Sequence, residues 1–98
     1  MNSLHLDTEI LAEEITITKD SLSVQLSDGR SITVSLAWFP RLLHADKKEK
    51  ENYRLIGKGT GLHWPDLDED ISIEGLILGR RSTENAASLE KWLAKRKK

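Results

Sequence analysis

The sequence predicts a small α+β domain, a small antiparallel β-meander covered by short helices, with a C-terminal helix. Three observations predict it. Between residues 13 and 36, apolar and polar residues alternate in three short runs, the period-two pattern of half-buried strands. The following stretch, AWFPRLLHA, groups Trp38, Phe39, Leu42 and Leu43 around a single proline, which supplies a cover for one sheet face. The chain then ends on a segment with capping residues at its start and cations at its end, the charge order that suits a helix dipole.

Each element follows from local chemistry. Residues 1–12 carry weak signals and are expected to include a partly ordered N-terminal segment. Ile15 and Ile17 alternate with Thr16 and Thr18, and Lys19-Asp20 follow as a turn. Leu22, Val24 and Leu26 alternate with serines and Gln25 in a second strand. Asp28-Gly29 is the strongest hairpin signal in the chain, because glycine takes the positive φ of a tight turn. Ile32, Val34 and Leu36 give a third strand. A short helix is expected around residues 38–44, with Pro40 in its first turn and both Leu42 and Leu43 pointing inward. Asp46 is placed to cap a second, charged helix through KKEKENY, expected to be a solvated surface helix.

The second half is shorter in its periods. Tyr53, Leu55 and Ile56 form a brief apolar stretch before GKGTG. That glycine run fits neither the Walker spacing nor G-x-G-x-x-G, so it reads as a turn between two short strands. Leu62 to Trp64 can form a strand that Pro65 ends. Residues 71–78 carry both an alternating and a helical pattern, and a short helix with Ser72 as cap and Gly79 as stop is favoured. In the last helix, Ser82 or Thr83 is the expected cap, Glu84 sits in the first turn, and Ala86, Leu89 and Leu93 share a face with Trp92 beside it. The organisation expected is an N-terminal segment over residues 1–12, one α+β domain over 13–80 and a basic C-terminal helix over 81–98.

Composition bounds the function. With 98 residues, 38% hydrophobic and 32% charged, the chain has the balance of one soluble globular domain. No apolar run reaches the length of a membrane span, and MNSLHLDTEI lacks the pattern of a signal peptide. The absence of cysteine removes disulfide and thiolate chemistry, and a cytoplasmic location is expected. Net charge is −1, so the molecule as a whole does not attract nucleic acid. The charges are unevenly placed: five acids and no bases between Asp66 and Glu74, then seven bases and two acids from Gly75 to Lys98.

The run GLHWPDLDED is where chemistry could reside. Asp66, Asp68 and Asp70 match the first, third and fifth positions of a calcium loop, but Ile71 replaces its glycine and Ile77 its bidentate glutamate. His5, His44 and His63 lack histidine partners at ligand spacing, so no metal and no cofactor are assigned. A small metal-dependent enzyme using the Asp66–Asp70 cluster is kept only as an alternative, with no catalytic residue named. In the structural reading, Trp64 plugs the core, Pro65 stiffens the exit, and Asp68 or Asp70 caps the next helix. The functional reading makes Trp64, Asp66, Asp68, Glu69 and Asp70 a partner-binding surface, with Asp66 and Glu69 left exposed. A further alternative is nucleic-acid binding through Lys91, Lys95, Arg96, Lys97 and Lys98.

The ordered series LSDGR (26–30), LAWFPRLL (36–43), NYRLIG (52–57) and GLHWPDLDEDISIEGLILG (61–79) resembles the family catalogued as domain of unknown function 2442, over residues 13–80. Ser35 stands where that pattern suggests proline, and the basic tail lies outside the shared core. The resemblance implies a small α+β bacterial or phage domain with no assigned activity, cofactor or catalytic residue. It also implies a neighbour, a protein of the domain of unknown function 4160 type, in an arrangement like a toxin–antitoxin pair. A non-catalytic, antitoxin-like protein-binding module is therefore the functional expectation.

Overall fold

The computed structural model describes residues 9–96. Strands β1 (Ala12–Ile17), β2 (Ser21–Leu26) and β3 (Ser31–Ser35) form an antiparallel sheet in that order. Pairing places Ile15, Val24 and Ile32 in one row and Ile17, Leu22 and Val34 in the next, so the expected apolar face exists. The opposite face is polar, and Ser23 and Thr33 share a cross-strand hydrogen bond of 2.8 Å. At the β2–β3 turn Gly29 has φ +93°, and Asp28 accepts from the Arg30 backbone at 3.1 Å and its side chain at 2.8 Å.

A 3₁₀ turn (Leu36–Trp38) leads into α1 (Pro40–Leu43), which opens on Pro40 as expected. The structure corrects the reading of its two leucines. Adjacent helical residues point about 100° apart, so Leu42 enters the core at 0% exposure while Leu43 is left 40% exposed. Asp46 caps α2 (Lys47–Glu51) in a reciprocal box: its carboxylate accepts from Glu49 N at 2.8 Å, and Glu49 accepts from Asp46 N at 3.0 Å.

A second antiparallel sheet follows, β4 (Arg54–Ile56), β5 (Gly61–Trp64) and β6 (Glu69–Ser72), in the order β4-β5-β6. Helix α3 (Ile73–Ile77) starts directly from β6, with Ser72 accepting from Gly75 N at 2.8 Å. The double pattern of residues 71–78 is thereby explained: Ile71 completes a strand, and Ile73 and Leu76 are the buried face of the helix. The core lies between the sheets and under α1, built from Leu22, Val24, Leu26, Leu36, Phe39, Leu42, Leu62, Trp64, Leu67 and Ile73, among others. No helix of the described residues is long and apolar enough to cross a membrane.

The sheets meet where the Ala12 backbone N–H donates to the Gly59 carbonyl at 2.8 Å. Gly59 has φ +114°, and a Cβ there would lie 2.7 Å from the Ala12 carbonyl oxygen. Both facts exclude a side chain, which accounts for a glycine in GKGTG without any phosphate. Gly59→Ala is expected to cost about 1–3 kcal/mol, through forced backbone strain and loss of this junction. Urea denaturation would check it, and an unchanged midpoint would show that the junction is dispensable.

Helix α4 (Ala86–Arg96) closes the described chain. Its cap is Asn85, which accepts from Ser88 N at 2.8 Å, rather than Ser82 or Thr83. Ser82 is held earlier, donating its N–H to the Trp38 carbonyl at 2.9 Å and accepting from Glu84 N at 3.0 Å. Glu84 consequently precedes the helix and reaches the domain body. The inner face of α4 also differs from expectation. Trp92 packs on the core, whereas Leu89 and Leu93 are half-buried and Ala86 is exposed.

A candidate partner-binding surface at the acidic turn

The chain between β5 and β6 is a tight turn over residues 65–68. Leu67 N donates to the Trp64 carbonyl at 3.2 Å, folding Leu67 back into the core. Burying Leu67 throws its neighbours outward, so Asp66 and Asp68 are both exposed. Asp68 sits at φ +52°, a conformation that aspartate tolerates better than most residues. Asp66 accepts from Asn52 Nδ2 at 2.9 Å.

The pleat of β6 then separates the last two acids. Successive strand residues face opposite sides of a sheet. Glu69 therefore lies on the core-facing side with Ile71 and opposite Trp64, while Asp70 lies on the outer side opposite His63. Asp70 contacts His63 Nδ1 at 2.5 Å. Glu69 is half-buried, and burial pushes its carboxyl up to about 7; Arg41 opposes the shift, and Glu84, Asp70 and Asp68 add to it.

Arg41 organises this end of the molecule. Its guanidinium donates to Glu84 Oε1 at 2.7 Å and to the Leu67 carbonyl at 2.9 Å, and lies 5.3 Å from the Trp92 ring centre. The Arg41 and Glu84 side chains are 18% and 8% exposed. Glu84 also accepts from the Ser88 hydroxyl, which with Arg41 holds its carboxyl below the usual range. One arginine thus ties the acidic turn, the segment before α4 and α4 itself together. A second tie lies at the far end of α4, where Arg96 makes a two-pronged contact with Glu49 at 2.6 and 2.8 Å and stacks 4.5 Å from Trp92.

Between the turn and α4 runs a cleft of about 580 Å³, with Asp66 and Asp68 on one wall and Lys91 and Lys95 on the other. Glu69 lines a second cleft, of about 250 Å³, with Arg80 and Arg81 across from it. Asp66 and Asp68 therefore share a cleft with two lysines of α4.

Several expectations change accordingly. Trp64 is 0% exposed, with its indole donating to the Lys50 carbonyl at 2.9 Å, so it supports the turn from beneath and is no part of a surface. Glu69 is half-buried because of its place in the pleat, not exposed. Neither Asp68 nor Asp70 caps α3, because Ser72 does. Arg96 is already engaged by Glu49, and α2 is correspondingly not a purely solvated helix. Lys97 and Lys98 lie outside the described residues. Among the described residues, no three His, Asp or Glu side chains converge in a group that could hold a metal ion. Sequence reasoning missed Arg41, whose partners lie far along the chain and leave no local signal. The His63–Asp70 pair was within reach, had β6 been paired with β5.

Comparison with known proteins now decides the family. The model of the family described as Protein of unknown function (DUF2442) matches residues 12–82. The chain belongs to this family. Among solved structures, this DUF2442 chain is similar to a protein of unknown function from Rhodospirillum rubrum ATCC 11170. The two share 26% identity and a TM-score of 0.67, over 79% of this chain and 95% of the other. It also resembles the fold of an uncharacterized protein from Chromobacterium violaceum, at 20% identity and a TM-score of 0.62, over 89% of this chain and 76% of the other. No curated protein matches it significantly.

The raised carboxyl of Glu69 carries a stability consequence with a definite sign. A group whose folded value exceeds its unfolded value of 4.5 favours the folded state while protonated. That contribution is present below pH 4.5 and is lost as pH rises through about 7. Glu69→Gln removes the penalty. It is expected to leave stability at pH 4.5 nearly unchanged and raise it at pH 8 by about 1–2 kcal/mol, a range reduced for solvent screening of a half-exposed group. Urea titrations at the two pH values would check this, and an equal effect at both would contradict it.

Proposed function

We propose that this DUF2442 domain is a non-catalytic protein-binding module that offers its acidic turn to a basic segment of a small partner protein. The antitoxin-like half of a two-protein system is the specific form of this reading. The neighbour implied by the resemblance, a domain of unknown function 4160 protein, is the first partner to try. The observation that carries it is the presentation of the turn. Asp66 and Asp68 project from a rigid corner, held by the buried Leu67 beneath and by Arg41 on the Leu67 carbonyl. A fixed row of charges steers an oppositely charged partner and sets its register.

Co-expression with the neighbouring protein tests it. A stable complex is expected, weakened at least tenfold when Asp66, Asp68 and Asp70 are all changed to asparagine, a substitution that tolerates the backbone of Asp68. Failure to form a complex, or a complex indifferent to those changes, would refute the reading.

A further inference from the structure

The four strands at sheet edges are not protected equally. A free edge invites pairing with another chain, and proteins blunt it with polar or charged side chains. The exposed positions of β1 are Glu13, Glu14 and Thr16, those of β3 are Ser31, Thr33 and Ser35, and those of β6 are Asp70 and Ser72. Strand β4 differs. Leu55 is 47% exposed and Ile56 is 44% exposed.

These two residues are adjacent in a strand, so they point to opposite faces of the sheet. Leu55 shares the inner face with Leu62 and Ile71, and Ile56 shares the outer face with Gly61 and Ser72. A ligand packed on either face would cover only one of them. A strand laid along the edge reaches both. The flanks add a charge preference. Arg54 precedes the pair and Lys58 follows it, both exposed, and neither is in an ion pair with a described residue. A second copy would bring two Arg54 and two Lys58 side chains onto one short ladder, an unfavourable arrangement.

We propose that the edge of β4, unpaired among the described residues, is a strand-addition site for an extended, apolar segment with acidic flanks on a partner protein. Main-chain pairing would supply affinity, Leu55 and Ile56 the apolar contact, and Arg54 and Lys58 the register. This edge lies across the sheet from β6, and the acidic turn reaches the start of β4 through the Asn52–Asp66 bond, so shifts at Leu55 and Ile56 distinguish this site from the binding surface proposed above.

The test uses the full isotope-labelled chain and a synthetic peptide of alternating valine and threonine with two glutamates at each end. Saturable amide shifts are expected at residues 54–56 and not at 65–70. Peptides with lysine flanks, or with backbone N-methylation along one edge, are expected to bind at least tenfold more weakly. Leu55→Lys and Ile56→Lys, each checked for intact β2 and β5 signals, should show the same loss. Exchanging Arg54 and Lys58 for glutamate should restore binding to the lysine-flanked peptide, which keeps the proposal testable if one apolar variant misfolds. Absence of shifts, equal binding of the N-methylated peptide, or shifts confined to the acidic turn would overturn it. Concentration-dependent self-association through β4 would overturn the choice of occupant.

Discussion

Arg41→Ala is expected to loosen the start of α4 on the body of the domain while leaving both sheets folded. The guanidinium holds the Leu67 carbonyl, Glu84 and the Trp92 ring at once. Its removal leaves the Glu84 carboxylate, 8% exposed, without its cation. Breaking one side of such a partly buried pair costs about 2–4 kcal/mol, below the range for a fully buried one. The cost falls on the contact between α4 and the body, because the sheets do not use Arg41 in their pairing. Arg41→Lys keeps the charge but not the planar fork or the stacking, so it is expected to recover only part of the loss. Hydrogen exchange would check both variants. Amides of α4 should lose protection, those of β2 and β5 should keep it, and the Trp92 indole signal should move toward a solvated position. Uniform loss of protection would show that α4 is integral to the core.

Trp64→Ala is expected to be more damaging. Trp64 is the largest wholly buried side chain, and its indole N–H satisfies the Lys50 carbonyl of α2 at 2.9 Å. Truncation opens a cavity against Tyr53, whose ring centre lies 6.1 Å away. It also leaves the Lys50 carbonyl without that donor. Large aromatic truncations of this kind cost about 3–5 kcal/mol, a large share of the stability of a domain this size. Chemical denaturation would measure it. The acidic turn would lose its support from beneath, so partner affinity should fall together with stability. Trp64→Phe restores most of the volume without the N–H, and separates the packing loss from the hydrogen-bond loss.

The first sheet was legible because period-two alternation and the Asp28-Gly29 turn are local signals. So were the Asp46 cap and the Ser72 cap, each needing only a short polar side chain before a helical run. The family could be read from ordered motifs, and its model covers residues 12–82. Strand β6 was obscured because its four residues run straight into α3, leaving too few positions for a period to declare itself. Leu43 was misplaced because two adjacent leucines look alike in sequence, and only packing selects which turns inward. The acidic run was the least legible part. Its composition was plain, but the division into an inward Glu69 and outward Asp68 and Asp70 depends on where β6 begins. The Arg41 network depends on contacts that no local pattern encodes.

The junction between Ala12 and Gly59 has a kinetic meaning. Each sheet is a meander of consecutive strands, so its ladders close over short stretches of chain and can form rapidly. The Ala12–Gly59 bond instead closes a loop that contains all of the first sheet, α1 and α2. Closing a loop of that length costs more entropy than closing any one of the hairpin turns. The topology therefore places a long loop closure at the contact between the two sheets, where Gly59 lets the two backbones approach.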